Sequence, residues 1–340
     1  MFLPSWFARR SFGRKSIMIS LDLSKCYGFK KHRSGWGHCI NSLKPYHSKS
    51  GIFFDGFLEH NFSWHLRKYI HEGFDGIPYT FPWVGVIHNP PNPPDWYDVY
   101  NSPKAMFDRD VFQYSLRFCK AIICLSDYLA DWVRGVCDTP VISVKHPTQT
   151  NCIKWEPIKF IKSRSPKILQ VGYWLRKPES ICSLKSPYPY SKKWLPSENE
   201  YCLEMLKAYN RTDTRFFDDQ HKWASVEILD WLPHEEYDDI LTSGIVFLDL
   251  YDSSANNAII ECIARNTPLL VNKHPAVVEY CGEDYPLYFD NLDHASDILH
   301  DRELIISAHE HFKNMDKSWL NGGYFANDVV TKLGKVINGR

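Results

Sequence analysis

The sequence predicts an α/β protein built from two open, doubly wound parallel sheets, and three observations lead to that prediction. The chain has 340 residues, more than the roughly 250–300 at which a single hydrophobic core stops growing, which favours two domains. Short apolar runs of strand length alternate with longer helical patterns, as in parallel α/β sheets. The alternation is interrupted at residues 146–165 by a polar stretch that contains prolines, which we interpret as the linker between the two domains.

Each half of the chain supplies five predicted strands. In the first half they are SIMISL (16–21), GIFFDGF (51–57), WVGVIH (83–88), AIICLS (121–126) and PVISV (140–144). In the second half they are KILQVG (167–172), VEILDWL (226–232), IVFLDL (245–250), PLLVN (268–272) and PLYFD (286–290). Helical patterns separate them, including one at 196–209 and one after AIICLS, where Ser126 is a good N-cap. We therefore expect a first domain (1–150), a second domain (151–325) and a C-terminal helix (326–340).

Charge and cysteine content exclude several classes of protein. The 40 Lys and Arg residues balance 40 Asp and Glu residues, which argues against a nucleic-acid partner bound through bulk positive charge. The ten cysteines include no CxxC pair, which argues against a zinc ribbon and favours a reducing, cytoplasmic compartment. No apolar run approaches the ~20 residues that span a bilayer. Residues 1–49 carry ten basic groups and one acid, so they are a candidate surface for an anionic acceptor or a peripheral membrane contact.

The most informative stretch runs from 245 to 290. Strand IVFLDL leads into a polar loop, and the next helix is expected to begin near Ser253 or Ser254, both good N-caps. The N-terminus of a helix offers unpaired N–H groups and a positive dipole end to an anion. Ser254, Asn257 and Glu261 fall on one face of that helix, turned away from the core. Asn266 is well placed as a left-handed C-cap.

This stretch resembles the donor-binding region of the retaining nucleotide-sugar glycosyltransferases of GT-B fold, especially glycosyltransferase family 4 (glycosyl transferases group 1). The family pattern is an apolar strand, a Glu, seven residues, a second Glu on a helix, a Thr-Pro turn, another strand and a later Glu. Here Glu261 stands at the second Glu, Thr267-Pro268 at the turn and Glu279 in the closing segment. The first Glu is replaced by Ser253, which lies beside Asp252.

The resemblance implies roles for these residues in donor binding. Glu261 would accept hydrogen bonds from the nucleotide ribose, and an exposed helix carboxylate is the alternative interpretation. The contact with the transferred sugar, made by the first Glu in the family, would pass to Asp252, Ser253, Asn256 and Asn257. Asn256 and Asn257 are explained nearly as well as plain helix-start residues.

A second segment, KILQVGYWLRKPES, supports the resemblance. It places Gly172 at the end of a strand, with Arg176 and Lys177 close behind. Family members carry a Gly at this strand end, and an Arg and a Lys nearby bind the donor diphosphate. The resemblance therefore implies that Arg176 and Lys177 are catalytic cations that offset the charge of the departing diphosphate. A solvated basic turn is the alternative.

Three weaker signals complete the candidate site. VEILDWLPHEEYDDIL is similar to the family segment that packs on the nucleobase, which makes Trp231, Leu232 and Pro233 candidate base-pocket residues. His88 ends a strand where the family has a His near the transferred sugar, and a structural strand-end His is the alternative. The loop before the first helix, which contains Gly35 and Gly37, resembles a family loop that covers donor and acceptor, and a structural turn is the alternative.

Together these features predict a GT-B enzyme of two Rossmann-like domains that face a cleft. The resemblance implies transfer of a sugar from a UDP-, GDP- or dTDP-linked donor to a glycan, glycolipid or glycoprotein acceptor, with retention and without a metal. The DxD at 108–110 opens a helix, where acids suit the dipole, so we do not interpret it as a metal site. An inverting variant would need a base such as His88 or Asp55. A nucleotide-sugar epimerase of the same fold, or a catalytically silent sugar-nucleotide or glycan-binding module, are the alternatives.

Overall fold

Two parallel β-sheets organise the chain in the computed structural model, which describes residues 19–26, 35–66, 77–97, 99–196 and 225–339. The strands of the first sheet are β1 (Leu21–Asp22), β2 (Ile52–Asp55), β3 (Trp83–Ile87), β4 (Cys119–Cys124) and β5 (Val141–Ser143). Those of the second are β6 (Lys167–Val171), β7 (Ser191–Leu195), β8 (Val226–Ile228), β9 (Gly244–Leu248), β10 (Leu269–Asn272) and β11 (Tyr288–Phe289). The first sheet has the order β1-β2-β3-β4-β5, and the second has the order β11-β10-β9-β6-β7-β8.

Each of the ten predicted strands overlaps an observed strand, although residues 16–18 of the first lie outside the described residues. Sequence reasoning missed β7, whose SKKWL pattern carries two lysines. Lys192 is accommodated inside the fold because its ammonium donates to the carbonyls of Cys182 (2.9 Å) and Leu184 (3.2 Å). A buried cation is stable only when such acceptors lie within hydrogen-bonding distance, and the local sequence does not predict them.

The helices lie between and around the strands. In the described part of the chain they are α1 (Trp36–Leu43), α2 (Pro103–Phe107), α3 (Asp110–Leu116), α4 (Asp127–Arg134), α5 (Pro157–Lys162), α6 (Ser180–Ser183), α7 (His234–Thr242), α8 (Asn257–Arg265), α9 (Pro275–Cys281), α10 (Leu292–Ile298), α11 (Arg302–Asn314) and α12 (Gly322–Asn338). A π-helical turn spans His60–Trp64. The Ser126 hydroxyl caps α4 by accepting from Leu129 N at 3.2 Å, as predicted. The predicted helix at 196–209 falls almost wholly outside the described residues.

The first sheet is covered by helices on both faces. On β3, Val84 and Val86 pack into one buried cluster, whereas Trp83 and Ile87 pack into another. This alternation follows from the period of two along a strand. The first cluster includes side chains of α1 and α12, and the second includes side chains of α2, α3 and α4. The last helix of the chain therefore returns to the first sheet, while the division of the chain at residues 150 and 325 stays a prediction.

The order of the second sheet places a switch point beside β6. After β6 the chain forms β7 and β8 on one side, and then crosses back to form β9 on the other side of β6. The connections that leave β6 and β9 therefore diverge to opposite sides of the sheet. Ligands of open parallel sheets bind in the crevice that opens at such a point, outside the carboxyl ends of the strands.

Close contact of β6 with β9 at this point gives a first testable prediction. Gly244 begins β9, and a Cβ atom at this position would lie 2.1 Å from the carbonyl oxygen of Lys167 on β6. Because backbone cannot move aside cheaply, Gly244→Ala is expected to lower the free energy of unfolding by about 1–3 kcal/mol, measured by urea denaturation.

A second glycine provides the matched control. A Cβ atom at Gly334, in α12, would meet nothing within 4 Å. Gly334→Ala is therefore expected to raise the free energy of unfolding by about 0.5–1 kcal/mol, since alanine loses less backbone entropy on folding. Equal effects of the two substitutions would contradict the strand contact that we describe.

Candidate active site

A cavity of about 370 Å³ lies between the two sheets, and residues from both halves of the chain line it. The first half contributes the start of α1, Phe57 and the residues that follow β3. The second half contributes the loops that follow β6 and β9 at the switch point. The predicted site residues that line the cavity are His88, Arg176, Asp252, Ser253, Asn256 and Asn257.

Arg176 brings an uncompensated positive charge to this cavity. Its guanidinium donates to the carbonyls of Val171 (3.1 Å) and Trp174 (2.5 Å) and to the side-chain oxygen of Asn256 (3.1 Å). All three acceptors are neutral, and Arg176 forms no ion pair with a carboxylate of the described residues. Burial lowers its pKa to about 10, which keeps the group charged at neutral pH. The charge is therefore fixed in place and available to an anion.

Gly172 shapes the loop that carries Arg176. It has a φ of +75°, a left-handed conformation that favours glycine, and it turns the chain directly after β6. Its carbonyl accepts from the indole N–H of Trp194 at 3.0 Å. Leu175, further along the loop, donates its N–H to the Tyr97 hydroxyl of the first half at 2.9 Å. The loop is thus held from both halves, while Gly172 itself does not line the cavity.

The N-terminus of α8 lies beside the same guanidinium. The helix is capped by Asn256, whose side-chain oxygen accepts from Ala258 N (3.1 Å) as well as from Arg176. The prediction of an N-cap at Ser253 or Ser254 was therefore wrong, because both residues lie in the loop before the helix. The hydroxyl of Ser254 instead lies 3.0 Å from the hydroxyl of Ser126, which belongs to the first half of the chain.

Two further expectations about α8 have different outcomes. Asn266 has a φ of 58° and ends the helix in the left-handed conformation, as predicted. The helix does not have the outward polar face that its sequence suggests, because every residue from Ala258 to Arg265 is buried. Neighbouring elements cover the helix all round, and the sequence of the helix alone does not reveal them.

Asp252 links the two halves of the molecule. The residue is 2% exposed, and one carboxylate oxygen accepts from the N–H of Asn92 in the first half at 2.7 Å. The other oxygen accepts from Ser253 N at 2.8 Å and lies 3.0 Å from His274 Nε2. Both oxygens are thus engaged within the protein, and the sugar contacts assigned to Asp252 and Ser253 stay predictions.

His88 forms part of the opposite wall. Its ring stacks on Phe57 with centroids 3.8 Å apart and meets Trp36 edge-on at 4.4 Å. Nε2 lies 3.0 Å from the carbonyl oxygen of Gly56, which can only accept, so Nε2 carries the hydrogen and Nδ1 is the acceptor. Burial lowers the pKa of His88 to about 3, so the ring is neutral at physiological pH. The neutral imidazole of His88 can therefore accept a hydrogen bond, but it is a weak base.

The structure separates Lys177 from the cavity. Its ammonium binds the carboxylate of Asp249 at 2.8 Å, and the other carboxylate oxygen accepts from the Ser180 hydroxyl at 2.7 Å. Arg176 and Lys177 are therefore not paired at the cavity wall, and the catalytic assignment of Lys177 stays a prediction. Asp55 also lies off the wall, since its carboxylate accepts from Phe57 N and from the side chains of Asn61 and Tyr79.

The candidate base-pocket residues lie at the edge of the second sheet. Trp231, Leu232 and Pro233 follow β8, the edge strand two positions away from β6. Trp231 is 67% exposed, and none of the three lines the cavity. Their assignment to the nucleobase stays a prediction.

Glu261 is buried within the second half. It is 2% exposed, and one of its oxygens accepts from the hydroxyl of Tyr237 on α7 at 2.6 Å. Burial, with Glu261 alongside, raises the pKa of Tyr237 well above its usual range, so the hydroxyl keeps its proton. The alternative interpretation of Glu261 as an exposed helix carboxylate is thereby excluded. Its contact with a ribose stays a prediction, and the residue does not line the cavity.

Sequence reasoning missed the aromatic walls of the cavity. Trp36 and Trp174 line it from opposite halves, together with Phe57. Each Trp lies just after a glycine at the start of a predicted loop or helix: Gly35, the N-cap of α1, precedes Trp36, and Gly172 precedes Trp174 by two residues. The nearby glycines are the sequence signal that could have identified Trp36 and Trp174 as wall residues.

The described residues contain no candidate for a metal site or for a membrane-spanning helix. No group of three or more His, Cys, Asp or Glu side chains in that part of the chain is arranged to hold a metal ion. At the DxD, Arg109 donates to the Phe62 carbonyl at 2.7 Å and to the Ser63 hydroxyl at 2.6 Å. Within the same ranges, no helix has the length and apolar character needed to cross a membrane.

Comparison with known proteins supplies the fold assignment. The sequence matches no protein-family model and no curated protein. The structure is similar to sucrose-phosphate synthase from Thermosynechococcus elongatus, with a TM-score of 0.58, 12% identity and coverage of 87% of this chain and 75% of the other. It is also similar to trehalose 6-phosphate synthase from Burkholderia multivorans (0.52, 12%, 89% and 75%) and to Anabaena HepE in complex with UDP (0.52, 10%, 85% and 76%). The chain therefore has the GT-B fold, two parallel α/β sheets that face a shared cleft.

Proposed function

We propose that this protein is a glycosyltransferase that moves a sugar from a nucleotide diphosphate sugar to a hydroxyl group of a glycan, glycolipid or glycoprotein. The donor binds at the loops of the second half, and the acceptor approaches along the first half. One observation carries the proposal: the fixed, uncompensated guanidinium of Arg176 lines a cavity between the sheets, beside the N-terminus of α8.

The chemistry of a diphosphate leaving group fits this arrangement. Negative charge builds on the diphosphate as the bond to the sugar breaks, and fixed donors aimed at that charge stabilise the transition state. Asn256 bonds to both Arg176 and Ala258 N, so it fixes the cation relative to the start of the helix. The N–H group of Asn257, which lines the cavity, forms no hydrogen bond with the described residues, which leaves it for an anion.

The composition of the cavity supports transfer with retention and without a metal. Asp252 is the sole carboxylate among the described residues that line it, and both of its oxygens are engaged. Burial makes His88 a weak base, and Nδ1 of His146, the other histidine among the described lining residues, lies 2.7 Å from the carbonyl oxygen of Pro147. The proton of the acceptor hydroxyl therefore passes to an oxygen of the departing diphosphate. The acceptor oxygen bonds to the anomeric carbon on the face from which the diphosphate leaves.

The aromatic walls suit a sugar ring. Trp36, Phe57 and Trp174 contribute apolar aromatic surface to the wall, while Ser253 and Asn257 offer neutral hydrogen-bonding groups. Sugar rings combine apolar C–H faces with hydroxyl groups, and pockets of aromatic side chains with a few placed polar groups bind such ligands.

A turnover assay tests the proposal. The purified protein is incubated with UDP-, GDP- and dTDP-sugars, with and without glycan and glycolipid acceptors, and with EDTA in a parallel set. We expect nucleotide release coupled to a glycosylated product, unchanged by EDTA, with the anomeric configuration of the donor retained in the proton NMR spectrum. Binding of a nucleotide sugar without turnover would favour a silent binding module instead. Interconversion of one nucleotide sugar into another, without an acceptor, would identify an epimerase.

A further inference from the structure

The segment that follows β3 is held by two buried carboxylates. Its sequence is His88-Asn89-Pro90-Pro91-Asn92, and the two prolines have no N–H to donate. One oxygen of Glu59 accepts from both His88 N and Asn89 N, each at 2.7 Å. Asp252, from the second half, accepts from Asn92 N at 2.7 Å. Every backbone N–H of the segment is thus bound by a carboxylate.

Glu59 lies behind the cavity wall and does not line it. It immediately precedes the π-helical turn, is 0% exposed, and its second carboxyl oxygen is buried without a hydrogen-bond partner among the described residues. Burial is the largest effect on the carboxyl and raises its pKa to about 7. A buried, half-satisfied carboxyl is costly to the fold. The two hydrogen bonds that its first oxygen accepts explain why a carboxyl is present at this buried position.

These two bonds act on residues that face the cavity. The first holds the backbone of His88, whose ring is fixed between Phe57 and Trp36. The second holds Asn89, whose side chain donates to the carbonyl of Asn101 at 2.9 Å. Because the carboxyl oxygen can accept in either protonation state, the amide oxygen of a glutamine can take its place.

We propose that Glu59 is a positioning residue, which holds His88 and Asn89 at the cavity wall in the geometry that the transferred sugar requires. The inference rests on the proposed function for its effect on turnover, but its structural part stands independently. Without the carboxyl, the N–H groups of His88 and Asn89 lose the one oxygen that accepts from both, and the backbone that carries the His88 ring is held less firmly at the cavity wall.

Paired substitutions test the effect on turnover. Glu59→Met keeps the length of the side chain and removes the acceptor, and we expect kcat to fall by about 10²-fold, as for a small misplacement of a reacting group. KM for the donor should change by less than about threefold, since Arg176 is untouched. Glu59→Gln should stay within about threefold of the wild-type kcat, because its amide oxygen accepts the same two bonds. Equal losses in the two variants would overturn the proposal.

Ser115→Ala is the control for a general loss of stability. Ser115 is buried in the same half, and its hydroxyl accepts from Tyr79 N at 3.0 Å, away from the cavity. This substitution also removes a buried side-chain acceptor of a backbone N–H. It is expected to lower the stability while leaving kcat unchanged, and a fall in kcat as large as that of Glu59→Met would count against positioning.

Hydrogen exchange tests the structural part without any turnover. In the wild-type protein, the amides of His88 and Asn89 should exchange slowly, measured by mass spectrometry on peptides that span 84–92. Glu59→Met should accelerate their exchange and Glu59→Gln should not. If the wild type turns over no nucleotide sugar, the proposed function fails while this result still stands. Fast exchange of both amides in the wild type would overturn the inference, even if Glu59→Met does not fold.

Discussion

Replacing Arg176 with alanine is expected to lower kcat by about 10²–10³-fold, the usual cost of removing one fixed donor from a developing negative charge. The same substitution should weaken binding of UDP, GDP or dTDP by at least about tenfold. The physical reason is that the Arg176 guanidinium is bound to two carbonyls and an amide, none of which neutralises its charge. Isothermal titration calorimetry with each diphosphate, together with the turnover assay, measures both effects.

Two other arginine variants make the test specific. Arg176→Lys keeps the charge but cannot make three directed bonds from a planar fork, so we expect an intermediate affinity. Arg134→Ala removes an arginine whose side chain is 46% exposed and paired with Asp131, and it should leave diphosphate binding unchanged. An unchanged affinity in Arg176→Ala would remove this residue from the anion site and, with it, the main support for the proposed function.

The second large effect concerns stability. Asp238 on α7 and Arg265 on α8 form an ion pair whose side chains are 8% and 2% exposed. Asp238→Ala removes the carboxylate that is hydrogen-bonded to the buried guanidinium of Arg265, which then keeps the attraction of Glu261. We expect the free energy of unfolding to fall by about 3 kcal/mol. Urea denaturation followed by far-UV circular dichroism measures the change.

An exposed ion pair provides the comparison. Asp131 pairs with Arg134 three residues along α4, and its side chain is 74% exposed. Asp131→Ala should cost about 0–1 kcal/mol, because water screens the pair and already solvates both groups. If the two substitutions had similar effects, the contact between α7 and α8 would not depend on the buried pair, and the anchoring of the helix that carries Glu261 would need another explanation.

The sequence was most informative where strands end. Arg176 and the loop at 252–257 follow predicted strands β6 and β9, and both loops line the cavity in the structure. This was predictable because the carboxyl ends of parallel strands meet at one edge of a sheet. Caps and turns were predictable only in part: Ser126 and Asn266 cap helices as expected, whereas the cap of α8 is Asn256 and not a serine.

Contacts that depend on distant residues could not be predicted. Strand β7 carries a lysine that only nearby carbonyls make tolerable, and Glu261 is covered by Tyr237 from another helix. Glu59 had no motif of its own, since its role depends on two amides about thirty residues away. Sequence patterns reflect the environment that a residue's neighbours along the chain create. The surroundings of the β7 lysine, Glu261 and Glu59 are instead created by residues of other elements, so the local sequence does not predict them.

The sequence by itself determined the alternation of strands and helices, the two-sheet architecture and the loops in which an anion site could form, because apolar periodicity and turn residues act locally. Only the tertiary structure decided which of two adjacent cations keeps its charge available. Lys177 is neutralised by Asp249, 72 residues along the chain, while Arg176 meets only neutral acceptors among the described residues. The physical reason is that the charge at a site is set by what folding brings within a few ångströms, and neighbours in sequence do not specify it.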